Sequence, residues 1–121
     1  MKIRLHEIEL GASDVTASTR FYQSLFGLAA NVQQNGLTVF DAGVNGIDLN
    51  VSEHLPAGIA AISFLTDDLE EIQQRLAEQD IAYDGPFASH LEMTCLQFKS
   101  PDGYVVRVNT PGKESPKWMK I

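Results

Sequence analysis

Residues 3–12 (Ile3-Arg4-Leu5-His6-Glu7-Ile8-Glu9-Leu10-Gly11-Ala12) alternate in polarity, with Ile8, Leu10 and Ala12 on one face and Glu7, Glu9 and Gly11 on the other. Period-two alternation predicts a half-buried strand. Ser13 and Asp14 then offer N-cap oxygens. Val15, Ser18, Tyr22, Leu25 and Phe26 recur at helical spacing until Gly27, which ends the element as a left-handed cap. Short runs near 28–34, 37–42 and 46–51 are punctuated by Asn35-Gly36 and Asn45-Gly46 and predict strands joined by tight turns. The order so far is βαβββ.

The second half repeats this plan. Ile59 to Thr66 predicts a strand; Asp67 and Asp68 cap a helix, with Glu71 completing a capping box and Leu69, Ile72 and Leu76 as its apolar stripe. Strands are expected near 81–88, 93–99 and 104–109. Ile8-Glu9-Leu10-Gly11-Ala12-Ser13-Asp14-Val15 superposes on Ile62-Ser63-Phe64-Leu65-Thr66-Asp67-Asp68-Leu69 at one fixed spacing, so the chain is read as an internal duplication. The expected organisation is a single domain, 1–121, of two modules, about 1–53 and 59–110, with a Pro- and Gly-containing linker at 54–58 and a tail at 111–121. One helix on one side of four strands buries too little surface to be comfortable alone, so the modules are expected to share a core or to swap into a dimer.

Composition narrows the class. The chain has 121 residues, of which 44% are apolar, enough to build a core without staples. A single cysteine, Cys95, permits neither an internal disulfide nor a cysteine-built zinc site. The start carries no apolar leader, and the longest uncharged span, Phe21 to Phe40, is broken by Gly27 and Gly36 and carries Asn31, Gln33, Gln34 and Asn35. No membrane span and a cytoplasmic location are therefore expected. With 16 acidic against 9 basic residues the net charge is −7, and no Lys/Arg cluster interrupts it, so nucleic acid is a poor partner.

Three stretches carry a family resemblance. Ile8-Glu9-Leu10-Gly11-Ala12-Ser13-Asp14 followed by Phe21-Tyr22-Gln23-Ser24-Leu25-Phe26-Gly27-Leu28, and later Ser100-Pro101-Asp102-Gly103-Tyr104, are similar in order and frame to the vicinal oxygen chelate superfamily of glyoxalases, bleomycin-resistance proteins and extradiol dioxygenases. The resemblance implies an α+β fold in which two tandem βαβββ modules form curved mixed sheets around a cleft. It also implies four cation-ligand positions, one on the first and one on the last strand of each module. Here those positions fall on Glu7, Asp48, Ala61 and Arg107. Ala61 has no donor atom and Arg107 is a permanent cation, so the usual ligand set is missing and no metal or other cofactor is expected. Glu9, on the same strand face as Glu7, is the available substitute donor, whereas His6 has the opposite parity and points away.

Strand parity places Ile8, Leu10, Ile47, Leu49, Ile62, Phe64, Val106 and Val108 towards the helices. It leaves Glu7, Glu9, Asp48, Asn50, Ala61, Ser63, Arg107 and Asn109 on the opposite face. Glu7, Glu9, Asp48, Asn50, Ser63 and Arg107 are the candidate ligand-binding residues. An ordinary wet sheet face explains the same polarity, and Arg107 reads equally as a structural ion pair or as a ligand anchor. His54 in the linker and His90 at a hairpin tip are expected at the surface, and Cys95 as a buried, inert thiol. Phe40, Tyr83, Phe87, Phe98 and Trp118 are candidates for lining a pocket or for the core. The tail, with Lys113, Lys117, Trp118 and Lys120, is expected to strap a neighbouring surface or to fray.

The function this implies is a metal-independent small-molecule binder, similar to the drug-sequestering bleomycin-resistance branch and suited to a ligand with a basic group and a carboxylate or enolate oxygen. It is expected as a homodimer. The alternatives are a metal-dependent or Glu-based lyase, isomerase or dioxygenase, and a non-catalytic dimerisation or regulatory module.

Overall fold

The computed structural model describes residues 1–119. In chain order the elements are β1 (Ile3–Gly11), α1 (Val15–Phe26), β2 (Ala30–Gln34), β3 (Leu37–Asp41), β4 (Asp48–Ser52), β5 (Ala60–Thr66), α2 (Leu69–Glu78), β6 (Asp84–Ala88), β7 (Thr94–Lys99) and β8 (Val105–Thr110). Short 3-10 turns lie at His90–Glu92 and Lys117–Met119. This is an α+β fold with the βαβββ order occurring twice, as the alternation of polarity predicts. No helix among the described residues is long and apolar enough to cross a membrane. The described residues form two compact units, Glu7–Ala61 and Met1–His6 with Ile62 onward.

In the Glu7–Ala61 unit, β1 pairs in parallel with β4, β4 antiparallel with β3, and β3 antiparallel with β2 across Asn35-Gly36. Asp14 caps α1 by accepting the Ala17 N–H at 3.0 Å, and Gly27 ends it in the left-handed region (φ 67°) with its N–H on Gln23 O. The helix packs on β3 and β4. Its core is Ala12, Phe40 and Val51, joined by Val15, Tyr22, Leu28 and Leu49, with the Tyr22 ring edge-on to Phe40. Two members of the expected helical stripe fall outside this core: Leu25 and Phe26 are exposed. Leu25 sits about 80° around the helix from the line through Val15 and Tyr22, and Phe26 closes the last turn. Thr19 takes the inward place instead, its buried hydroxyl 2.8 Å from that of Thr38.

In the other unit the hydrogen-bonded order is β5, β8, β7, β6. Lys2 fastens the start of β1: its N–H donates to Asp67 Oδ1 at 2.7 Å and its carbonyl accepts from Thr66 Oγ1 at 2.8 Å. Asp68 caps α2 through the Glu71 N–H at 3.0 Å. The capping box expected there is only half made. The Asp68 N–H donates to Thr66 Oγ1, and the Glu71 carboxylate pairs with Arg75 one turn on at 3.2 Å. The strand expected from residue 81 begins at Asp84, because the Ile81 N–H still closes α2 on Leu76 O.

The described part of the tail, residues 111–119, straps a surface of its own unit. Ser115 Oγ donates to Leu91 O at 2.7 Å and accepts the Gly112 N–H, and Met119 is buried with Leu65 and Met93. Lys120 lies outside the described residues.

Candidate functional site

Register fixes which side chains share a face. In the Glu7–Ala61 unit, Glu7 pairs with Asp48 and Asp48 with Asp41; Glu9 pairs with Asn50 and Asn50 with Val39; Gly11 pairs with Ser52 and Ser52 with Leu37. The face opposite α1 therefore carries a row of three carboxylates next to a Glu-Asn row. A wet sheet face would leave these groups in water. Of them Glu7 is 9% exposed, Glu9 6% and Asn50 7%, but Asp48 is half-buried and Asp41 exposed; on the helix side Ile8, Leu10 and Leu49 are half-buried beside the buried Ala12, Phe40 and Val51. One twelve-residue helix does not cover four strands.

Burial, reinforced by the neighbouring Asp41 carboxylate, raises the Asp48 carboxyl above its ordinary value. The Asn50 Oδ1 atom is buried with no hydrogen-bond partner among the described residues. At the Gly11 end the connection after β4 folds over the face: Gly11 N–H donates to Ile59 O at 2.8 Å, and a Cβ at Gly11 would strike the carbonyl oxygens of Pro56 and Leu55. That connection brings His54 Nδ1 within 3.9 Å of Glu9 Oε2, while the rest of the imidazole stays exposed and the His54 backbone N–H donates to Ser52 Oγ.

In the other unit, Gln97 pairs with Arg107 and Cys95 with Asn109. Arg107 donates from Nε to Gln97 Oε1 at 3.1 Å. Ser63 and Asn109 are buried. The Cys95 thiol is buried and pushed up by that burial, an effect opposed by the Arg107 guanidinium and a backbone hydrogen bond from Val108. His6, on the other side of β1, is buried, and its Nε2 has no hydrogen-bond partner among the described residues. Burial, with the charges of Arg4 and His90, lowers its pKa to about 4.

Glu7, Glu9, Asp48 and Asn50 are thus adjacent on one strand face, and Ser63 and Arg107 lie on β5 and β8 of the other unit. Three residues escape sequence inspection. Asp41 joins the carboxylate row through hairpin register, Gln97 holds Arg107 across β7–β8, and His54, expected only as a surface group, reaches Glu9 through the path of a connection. Of the aromatic candidates, Phe40 is core, Tyr83 OH accepts from Gln73 Nε2, and Phe87 stands opposite Cys95. Phe98 pairs with Val106 on the apolar side, and Trp118 is exposed. The donor set does not suit a divalent cation. Ala61 and Arg107 offer no lone pair, and among the described residues no three His, Cys, Asp or Glu side chains converge as ligands.

The model of the glyoxalase/bleomycin resistance protein/dioxygenase superfamily matches residues 4–108. The chain belongs to that superfamily. Solved structures of this fold agree at low identity. A superfamily member from Vibrio splendidus 12B01 is 18% identical with a TM-score of 0.67, covering 90% of this chain and 98% of that one. A methylmalonyl-CoA epimerase variant of Streptomyces coelicolor in complex with 2-nitronate-propionyl-CoA is 18% identical with a TM-score of 0.65, covering 93% and 98%. The Mn(II)-bound glyoxalase of Novosphingobium aromaticivorans is 18% identical with a TM-score of 0.66, covering 93% of this chain and 40% of that one. Among curated proteins compared by sequence, none matches.

Proposed function

We propose that this superfamily member is a metal-independent binder of a small organic molecule, a drug or metabolite, acting as a cytoplasmic homodimer. Its proposed ligand contacts are Glu7, Glu9, Asp48 and Asn50 within the Glu7–Ala61 unit, with Ser63 and Arg107 as candidate contacts within the other unit. The observation that carries this reading is the burial of Glu7, Glu9 and Asn50 on the polar strand face. A ligand with a basic group would meet these carboxylates in a face withdrawn from bulk water, beside the buried Asn50 Oδ1, which has no hydrogen-bond partner among the described residues. The exposed Phe21, Leu25 and Phe26 on α1 supply an uncharged apolar patch suited to a second copy.

Elemental analysis of the purified protein before and after mild chelation is expected to find no stoichiometric transition metal; finding one overturns metal independence. Thermal-shift screening with cationic aromatic amines is expected to raise the melting temperature, since a ligand that binds only the folded state stabilises it. Glu7→Gln with Asp48→Asn should abolish that shift. A screen in which these amines leave both proteins unmoved removes the binding role.

The Glu9–His54 pair favours a second reading, an isomerase or lyase in which a carboxylate orients an imidazole for proton transfer. The epimerase neighbour holds a propionyl-CoA derivative, so an acyl thioester is the substrate to try. Exchange of its α-hydrogen with deuterated solvent, followed by NMR and lost in His54→Ala, would establish this activity. No exchange above the buffer rate sinks it.

A further inference from the structure

The tail of the chain is built into the polar face of its own unit. In β5, Ser63 and Leu65 share parity; at β7, Met93 shares parity with Cys95 and Gln97, which pair with Asn109 and Arg107 of β8. All these strands are neighbours in the order β5, β8, β7. Met119 therefore buries its side chain against Leu65 and Met93 on the face that presents Ser63, Asn109 and Arg107. It is 1% exposed, yet its neighbour Trp118 is 62% exposed.

The segment leading there is held by a few local bonds. Ser115 bridges Gly112 and Leu91, the Ser115 N–H donates to Gly112 O, and the Met119 N–H donates to Pro116 O. Its anchor, the turn His90–Glu92, places two successive non-glycine residues at positive φ, Leu91 at 54° and Glu92 at 61°. Gly112 fits against that turn because a Cβ there would meet Glu92 O at 2.5 Å. Such backbone persists only where its surroundings impose it, so releasing the tail also relieves the turn.

We propose that residues 111–119 are a displaceable strap, and that Met119, an unbranched thioether chain, occupies the place of an unbranched alkyl chain of the ligand. The ligand class is then a carboxylate with a linear apolar tail: the tail runs between Leu65 and Met93 and the carboxylate lies towards Asn109 and Arg107. From Met93 to Gln97, the partner of Arg107, is four residues of strand, or about 13 Å, the scale of a medium-chain acid. This inference rests on the small-molecule reading above and gives the Ser63 and Arg107 unit an anionic ligand of its own, separate from the basic-group ligand argued for the carboxylate face.

Octanoate is the probe, with octan-1-ol as the uncharged control, titrated into the full chain by calorimetry while backbone amide exchange of 111–119 is followed. Octanoate is expected to bind saturably and to speed exchange at Ser115 and Met119. Met119→Ala should bind octanoate at least fivefold more tightly, and octan-1-ol should bind that variant at least fivefold more weakly than octanoate does. Saturable binding with unchanged strap exchange and equal affinity in Met119→Ala makes Met119 a fixed core anchor and overturns the proposal. Equal binding of acid and alcohol reduces the site to a generic cavity and overturns it as well. If octanoate binds neither protein while cationic amines stabilise both, the proposal falls and the function above stands; if neither probe binds, both fall.

Discussion

At the scale of single residues, two glycines separate steric need from backbone need. Gly11 has no unusual φ, but the carbonyl oxygens of Leu55 and Pro56 occupy the space of its missing Cβ. Gly27 has open space around it and a φ of 67°. Gly11→Ala must push a connection off the strand that carries Glu7 and Glu9, and is expected to cost about 2 kcal/mol or more, as backbone overpacking does. Gly27→Ala meets nothing and bears only the cost of the left-handed conformation, about 1 kcal/mol. Urea denaturation of both variants checks the order. If Gly11→Ala is the milder change, the connection after β4 does not seal that end of the face. The same connection positions His54, so Gly11→Ala is also expected to impair any activity that depends on the Glu9–His54 pair.

At the scale of elements, α1 and α2 are each started by one aspartate oxygen on a backbone N–H of the first turn, Asp14 on Ala17 and Asp68 on Glu71. Asp14→Ala and Asp68→Ala should each destabilise by about 1 kcal/mol. Asp68→Ala should be the less damaging, since Thr66 Oγ1 still holds the chain entering α2 through Lys2 O. Thermal melts of the two variants, with Asp67→Ala as a comparator, test this. These caps, the Asn35-Gly36 hairpin and the strand parity are all legible in the sequence, because each is written in spacings of two to four residues. The partners of the candidate site are not. Gln97 meets Arg107 through register, and His54 meets Glu9 through the route of a loop. Met119 reaches Leu65 and Met93 only because Ser115 turns the tail back. Nor does alternation say which face of a sheet is the wetter. It sorts Glu7 and Glu9 from Ile8 and Leu10, while the depth of burial on each side depends on how much of the strands a twelve-residue helix covers.

At the scale of the whole molecule, the buried His6 and the half-buried Asp48 pull the dependence of stability on pH in opposite directions. His6 has a folded pKa of about 4 against an ordinary value of 6.5. Above pH 6.5 it is neutral in both states and contributes no slope. As pH falls from 6.5 towards 4 the unfolded chain takes up a proton that the folded chain refuses, so stability is lost through this window and levels off below it. The loss is about 3 kcal/mol at most. Asp48 acts the other way, because burial and the Asp41 carboxylate raise its folded pKa above 3.8. Its contribution is fully present below that value and is lost as pH rises through the raised one, leaving a half-buried carboxylate as a standing cost at neutral pH. Asp48→Asn should therefore raise the melting temperature at pH 7 and leave it nearly unchanged at pH 3. His6→Leu, which removes the unpartnered Nε2, should flatten the limb between pH 6.5 and 4 without altering the Asp48 effect, because the two residues belong to different units and titrate with different neighbours. Melting curves of the parent, both single variants and the double variant across pH 3 to 8 test the pair. A limb that survives in His6→Leu would assign the acid sensitivity to another group, and a destabilised Asp48→Asn at pH 7 would mean that the carboxylate row is held by more than its register.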